Sequence, residues 1–304
     1  MTDVVTAQQA LLQSRYRAHI GPSDAYALVD FPDHANVGDS AIWLGECRML
    51  RAITGRAPDY ISTWHDFDPL AFRQACPSGT LFLHGGGNLG DLWPHHQQFR
   101  EALLGAVRDR PVVQLPQSIH FTDDGALSRF AERVACHPDF TLHVRDRESL
   151  AIAAAHFACQ VHLTPDSAFA LGPQPRGPDD TPILALMRTD IERKAVRDTS
   201  LSGATIVDWL EDDADLPQGT DSAAREAQAR ARVARGLRLL SRGTIIATDR
   251  LHGHILATLL GIPHTVFDNS YGKLGAYIRA WTATSPLVRR ADDRAAPAAA
   301  PVAS

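Results

Sequence analysis

Residues 80–91 read TLFLHGGGNLGD, a short apolar run from Thr80 to His84 that feeds a glycine-rich loop from Gly85 to Asp91. Beyond it, His95 to Val107 has helical spacing, so the stretch predicts strand, loop and helix. The same unit recurs on both sides. Upstream, a predicted helix over residues 5–19 precedes the strand-length run Ala25 to Phe31, which ends in Pro32. The loop Asp33 to Gly38 then leads to Asp39 and Ser40, both good helix caps, and to the apolar-periodic stretch Ala41 to Ile53. Downstream, Pro111 to Pro116, Thr141 to Val144 and Val161 to Leu163 read as strands, separated by helices over Asp124 to Cys136 and Glu148 to Ala158. Strands alternating with helices at this spacing predict a parallel sheet covered on both faces.

Gly172 to Thr181 is rich in glycine, proline and aspartate, the composition of a linker. Past it, Pro182 to Met187, Ala204 to Val207, Gly243 to Ala247 and His264 to Phe267 read as strands, with helices over Ser222 to Leu240 and His252 to Leu260. The expected organisation is an α/β domain over 1–172, a second over 173–290 and a disordered alanine- and proline-rich tail over 291–304. Two such domains would bind ligands in a cleft at the carboxyl ends of their strands. The acidic run Glu211 to Asp215 reads as a solvated loop.

Bulk properties narrow the class. A chain of 304 residues with 44% hydrophobic content can bury a sizeable core. A formal charge of -5 leaves no overall positive field for a nucleic-acid backbone, so nucleic acid is not an expected partner. Cys47, Cys76, Cys136 and Cys159 are far apart, with no pair or nearby histidine at zinc-ligand spacing; a reduced protein without a metal centre is expected. Met1 to Gln13 lacks the apolar core of a signal peptide and no segment is apolar enough to span a bilayer, which predicts a cytoplasmic chain.

The residues that can carry chemistry follow predicted strands. In Thr248-Asp249-Arg250-Leu251-His252-Gly253-His254 a strand ends and a helix begins, the position of an anion site. There Arg250 can pair a phosphate or carboxylate and His252 can transfer a proton, or both can serve as structural partners. The turn at Gly86, Gly87 and Asn88 lets a ligand approach the backbone, or is a tight turn with Asn88 left-handed; it is neither a dinucleotide fingerprint nor a P-loop. Asn36 and Asp39 open a third loop, where Asp39 reads as a cap or as an acceptor for sugar hydroxyls. Arg145 and Arg188 also follow strands, pointing into a cleft or forming surface ion pairs, and Asp166 reads as a turn former or a proton-handling carboxylate. Several convergent polar motifs all placed after strands suit an enzyme with a cleft.

As a set these motifs resemble the polysaccharide pyruvyltransferases. The resemblance rests on Asn36-Val37-Gly38-Asp39, Leu83-His84-Gly85-Gly86-Gly87-Asn88, Gln114-Leu115-Pro116-Gln117-Ser118 and Val144-Arg145-Asp146-Arg147-Glu148-Ser149. It continues through Thr164-Pro165-Asp166 and Arg188 to Asp249-Arg250-Leu251-His252-Gly253 and Asp268-Asn269-Ser270-Tyr271-Gly272-Lys273. It implies two Rossmann-like domains facing a cleft, similar to the GT-B glycosyltransferase fold, with the acceptor on the N-terminal side and phosphoenolpyruvate on the C-terminal side. It also implies transfer of a pyruvyl group from phosphoenolpyruvate to two sugar hydroxyls as a cyclic ketal, with no cofactor. Carried over residue by residue, Arg250, Leu251, His252 and Arg188 hold the donor, with Lys273 as a further anion contact. His252 is the leading general acid, and Asp39, His84 and Asp91 bind or deprotonate the acceptor. A lipid-linked oligosaccharide acceptor would bring the enzyme to the inner face of the membrane. Two rival readings share the fold: a glycosyltransferase using a nucleotide sugar, and a catalytically silent glycan-binding protein.

Overall fold

A computed structural model describes residues 3–189, 201–268 and 272–291. In chain order the elements are α1 (Val4–Arg17), β1 (Tyr26–Val29), α2 (Val37–Thr54), β2 (Tyr60–Ser62), α3 (Pro69–Ala75), β3 (Thr80–Leu83), β4 (Gly86–Gly90), α4 (Pro94–Ala106) and β5 (Val112–His120). They continue with α5 (Asp124–Cys136), β6 (Phe140–Val144), α6 (Arg147–His156), β7 (Gln160–Leu163) and a 3-10 turn at Ser167–Leu171. Then come β8 (Thr181–Leu186), β9 (Thr205–Val207), α7 (Ser222–Ser241), β10 (Gly243–Thr248), α8 (Leu251–Leu259), β11 (His264–Val266), α9 (Lys273–Tyr277) and β12 (Val288–Arg290). Every strand pairing among the described residues is parallel, as the alternation of strand and helix predicts.

The chain divides into two compact units, Met1–Gln174 with Trp209–Gly236 and Pro175–Asp208 with Leu237–Ser304. The first holds a sheet in the order β2-β1-β3-β5-β6-β7, with β4 added against β5; the second holds β12-β11-β10-β8-β9. In each, the chain builds outward in both directions from a central pair, β1 and β3 in the first unit and β8 and β10 in the second. The carboxyl ends of such a pair, where the connections part to opposite sides, leave a natural crevice for a ligand.

Local chemistry explains most of the elements. The first unit's core fills with Leu81, Leu83, Leu103, Val112, Phe130, Leu142 and their neighbours. Asp68, Asp123 and Asp146 cap α3, α5 and α6 through side-chain oxygens. The start of α2 differs from the sequence expectation: Asn36, not Asp39 or Ser40, is its cap, with Oδ1 accepting from the Gly38 amide at 3.1 Å. Asp39 therefore lies inside the first turn. The loop expected over Gly85 to Asp91 is largely strand, because backbones approach there so closely that a Cβ at Gly90 would lie 1.7 Å from the His120 carbonyl. Asn88 is not left-handed; among the described residues only Ser23 and Asp30 are non-glycines with positive φ. β5 runs past the expected stop at Pro116, since a register shift between Gln114 and Gln117 absorbs the missing amide.

Trp209–Gly236, placed by the linear boundary in the second domain, clusters with the first unit because arginines of α7 bind its loops. Arg232 donates to Pro32 O at 3.1 Å and to Asp212, Arg235 to Ala35 O and Asp212, and Arg225 to Ile61 O and Asp66. Asp212, expected in a merely solvated loop, thus clamps two guanidinium groups. The tail over 292–304 lies outside the described residues.

Candidate functional site

In the first unit, Val29 of β1 pairs with Leu83 of β3, so Asp30 and His84 emerge side by side at the carboxyl edge. The His84 amide closes the edge by donating to Val29 O at 3.0 Å. His84 is buried, and its Nδ1 lies 2.7 Å from Oε2 of Glu46, a wholly buried carboxylate on α2 whose Oε1 accepts from the Gly85 amide at 2.8 Å. Burial opposes a charge on His84, but the carboxylates of Glu46, Asp30 and Asp39 outweigh it and hold the imidazole pKa above its usual value. Burial likewise raises the Glu46 carboxyl, against the pull of His84 and the Gly85 amide. The pair is suited to keeping a proton near neutral pH. His84 Nε2 is buried without a hydrogen-bond partner among the described residues.

Asp39 and the glycine turn border this pair. Asn36 Nδ2 donates to Asp39 Oδ2 at 2.7 Å, and a Cβ on Gly86 would meet Asp39 Oδ1 at 3.7 Å. Gly87 faces Arg145, whose NH2 would lie 2.9 Å from a Cβ there. Arg145 is not a surface residue: its Nε donates to Ser118 Oγ at 2.9 Å and NH1 to the buried Asp166 at 2.7 Å. Asn88 Oδ1 accepts from Arg100 NH2 at 2.9 Å and Gln117 Nε2 at 2.8 Å, which ties the glycine turn to α4 and β5.

Asp91 has a different setting. Its Oδ2 accepts from the Thr122 amide, the Thr122 hydroxyl and the Asp123 amide at 2.7, 3.0 and 2.7 Å. Burial raises this carboxyl, but the donated hydrogen bonds outweigh it and leave its pKa below the usual range. Such a carboxylate pins the turn that opens α5.

In the second unit, Leu186 of β8 pairs with both Val207 of β9 and Thr248 of β10, so Arg188, Asp208, Asp249 and Arg250 gather at one edge. The Arg188 amide donates to Asp249 Oδ1 at 2.8 Å, and burial raises the Asp249 carboxyl against that bond. Arg250 is buried and its NH2 donates to Asp208 Oδ2 at 2.8 Å, while its own amide donates to Thr248 Oγ1 at 3.1 Å. Arg250 stands at the cap position of α8 and makes no side-chain cap hydrogen bond, and a helix start is a position that favours negative charge. His252 lies in this first turn and is nearly buried. Leu251 packs against the Val266, Leu274 and Ile278 cluster, which makes it an anchor of the helix start. Gly253 is required there: a Cβ would lie 2.4 Å from Thr248 Oγ1. The side chain of Lys273 lies outside the described residues, as do Asn269, Ser270 and Tyr271.

Sequence reasoning did not single out Glu46, Asp30 or His96 of α4. Glu46 left one signal, a carboxylate inside the apolar period of α2. His96 Nδ1 lies 2.9 Å from Asp30 Oδ1, and the two are 66 residues apart in the chain. Among the described residues no group of three or more His, Cys, Asp or Glu is arranged to hold a metal ion, and no helix is long and apolar enough to cross a membrane.

Comparison with known proteins bears on this geometry. The sequence model of a family described as polysaccharide pyruvyl transferase matches residues 36–271. A Schizosaccharomyces pombe protein named Pyruvyl transferase 1 is 36% identical, over 91% of this chain and 74% of its own length. EpsO of Bacillus subtilis, whose name assigns it provisionally to pyruvyl transfer, is 31% identical over 86% of each chain. The crystal structure of a functionally uncharacterized Klebsiella pneumoniae protein superposes with a TM-score of 0.61 at 22% identity, covering 95% of this chain and 99% of that one; this likeness is one of fold.

Proposed function

Because the chain belongs to the polysaccharide pyruvyl transferase family, we propose that it moves a pyruvyl group from phosphoenolpyruvate onto two hydroxyls of one sugar, forming a cyclic ketal and releasing phosphate. The acceptor is a polysaccharide or its lipid-linked precursor. The observation that carries this reading is the pair Arg188 and Arg250 beside the uncapped start of α8, at the central strand pair of the second unit. Phosphoenolpyruvate presents a carboxylate and a phosphate, and two guanidinium groups with a helix start neutralise and orient both. The proposal carries with it the GT-B-like pairing expected from the sequence, each unit supplying one substrate.

Chemically, C3 of the donor takes a proton, and the resulting cationic C2 is attacked by one sugar hydroxyl. His252, which lies in the first turn of α8, serves as the acid in this proposal. The C2–O bond to phosphate then breaks, phosphate leaves with the electron pair, and the second hydroxyl closes the ring. The two hydroxyl protons balance the one gained by C3 and the one carried off by phosphate, and no electrons are exchanged with a redox partner. His84, with Glu46, and Asp39 serve the acceptor, while Asp91, committed to its turn, drops out of the acid–base set.

Calorimetric titration of phosphoenolpyruvate and of a panel of nucleotide sugars into the protein tests the reading. Binding of phosphoenolpyruvate alone is expected. Binding of a nucleotide sugar in its place would make the chain a glycosyltransferase and overturn the proposal.

A further inference from the structure

We propose that His96 is the base that takes the proton from the attacking sugar hydroxyl, with Asp30 as the positioning residue that sets its tautomer; this rests on the pyruvyl-transfer reading above. Asp30 directly follows β1 at the central strand pair, is wholly buried and has φ 71. For a non-glycine that backbone costs about 1–2 kcal/mol, so the surroundings must hold it in place. What it achieves is the aim of one carboxylate: Oδ1 and Oδ2 lie 2.9 and 3.2 Å from His96 Nδ1. Burial raises the Asp30 carboxyl, but the hydrogen bond from the His96 ring and the positive charges around it, Arg100 and His84 among them, outweigh burial and keep it below its usual range, hence ionised.

An ionised carboxylate can only accept, so Nδ1 carries the proton and the lone pair of the neutral ring sits on Nε2. No hydrogen bond among the described residues engages that nitrogen, and the side chain is 17% exposed. Other histidines are spent differently. His19 and His143 bond each other at 2.8 Å, His254 and His264 at 2.7 Å, and His137 bonds the Val107 carbonyl. His84, the neighbour of Asp30 across the strands, holds its proton against Glu46. His96 and His84 thus stand near one sheet edge, each with Nδ1 turned to a buried carboxylate, Asp30 for the one and Glu46 for the other.

The surroundings fit a sugar. Buried Arg100 joins the His96 carbonyl to Asn88 and Gln114 and so fixes the first turn of α4 against the glycine turn. His34 and His84 are titratable neighbours too, and both feel the Asp39 carboxylate. The Trp64 ring, 39% exposed, lies 6.4 Å from the His96 ring and stacks on His95 at 5.1 Å; it also walls, with Phe67, His95 and Phe99, an apolar pocket of about 400 Å³ that His96 itself does not line. An aromatic shelf beside a base offers the apolar face of a pyranose a seat. In the step itself the hydroxyl oxygen's electron pair forms the new bond to C2 of the protonated donor, and the hydroxyl proton passes to Nε2 and then to solvent.

Three measurements on the full chain test this. In 15N-resolved imidazole spectra, His96 is expected as the Nδ1-protonated tautomer in the wild type and to lose that preference in Asp30→Asn; an Nε2-protonated wild-type ring would overturn the proposal. Phosphate release from phosphoenolpyruvate with a panel of p-nitrophenyl hexopyranosides should fall about 100- to 10,000-fold in kcat for His96→Ala, with phosphoenolpyruvate binding by calorimetry unchanged. Added imidazole should restore part of that turnover, which a merely structural role would not allow. Wild-type turnover in His96→Ala, or a loss that imidazole leaves untouched, overturns the base while the donor reading stands. Failure of the wild type to bind phosphoenolpyruvate overturns the donor reading itself.

Discussion

Replacing Arg250 by lysine separates binding from stability at the proposed donor site. The guanidinium is buried and donates to Asp208 Oδ2 at 2.8 Å, and Asp208 also accepts from the Thr189 amide and hydroxyl at 3.1 and 2.7 Å. Lysine keeps a positive charge beside Asp208 but replaces a planar fork with a point charge that cannot serve Asp208 and grip an anion with parallel bonds together. Losing one charge-assisted hydrogen bond to the donor costs about 1.5–3 kcal/mol, which weakens phosphoenolpyruvate roughly 10- to 150-fold. Arg250→Ala removes the charge as well and takes one cation from the mostly buried Asp208 carboxylate, which keeps its bonds from Thr189, a loss of about 1–3 kcal/mol in folding stability. Calorimetric titration gives the first quantity and urea denaturation the second. The lysine variant should bind weakly yet fold with near wild-type stability, whereas alanine should lose both. Wild-type affinity in Arg250→Lys would refute the assignment of Arg250 to the donor.

Further tests address other parts of the molecule. Gly253→Ala should cost about 1–3 kcal/mol in stability and weaken phosphoenolpyruvate binding, because the new Cβ would displace the Thr248 hydroxyl that anchors the Arg250 amide; unchanged thermal unfolding and affinity would count against this. Glu46→Gln removes the main cause of the raised His84 pKa, so NMR titration should find His84 losing its proton at lower pH than in the wild type, and an unmoved titration would show that Glu46 is not the cause. For acid stability the sign follows from burial: the folded-state pKa of His264 is lowered from 6.5 to about 4, and His254 and His143 are lowered well below the usual value. A base with a lowered folded pKa favours the folded state above its unfolded pKa, and that contribution fades as pH falls toward the folded value. Denaturation midpoints should therefore drop between about pH 6.5 and pH 4, and His264 alone is worth at most about 3 kcal/mol across that window. A flat profile there would contradict the buried histidine assignments.

The cluster proposed to hold the donor was legible in the sequence because its residues are neighbours in the chain. Thr248 to Gly253 runs from strand to helix, so adjacency alone put Arg250, His252 and the helix start together, and alternation of strand and helix predicted the parallel sheets. Two edge strands, Tyr60–Ser62 and Val288–Arg290, were not legible: three residues show no period, and each is strand because the neighbouring strand, β1 or β11, offers it an edge. The glycine turn misled in the other direction, since glycine signals a loop locally while the approach to β5 makes it a strand.

What only the tertiary structure decided is the partnership of residues distant in sequence. Glu46 and His84 are 38 residues apart, Asp30 and His96 are 66, and each pair meets because the sheet sets β1 beside β3 while α2 and α4 bring a side chain to the shared edge. The same holds for Asp212, which reads as solvated acid until α7 supplies Arg232 and Arg235. Periodicity and capping act over a few residues and are written locally, so the sequence by itself determined the order of most strands and helices and the parallel class. Which titratable groups share a proton depends on burial and on a few ångströms of separation, and those distances exist only once strand order has closed the chain upon itself.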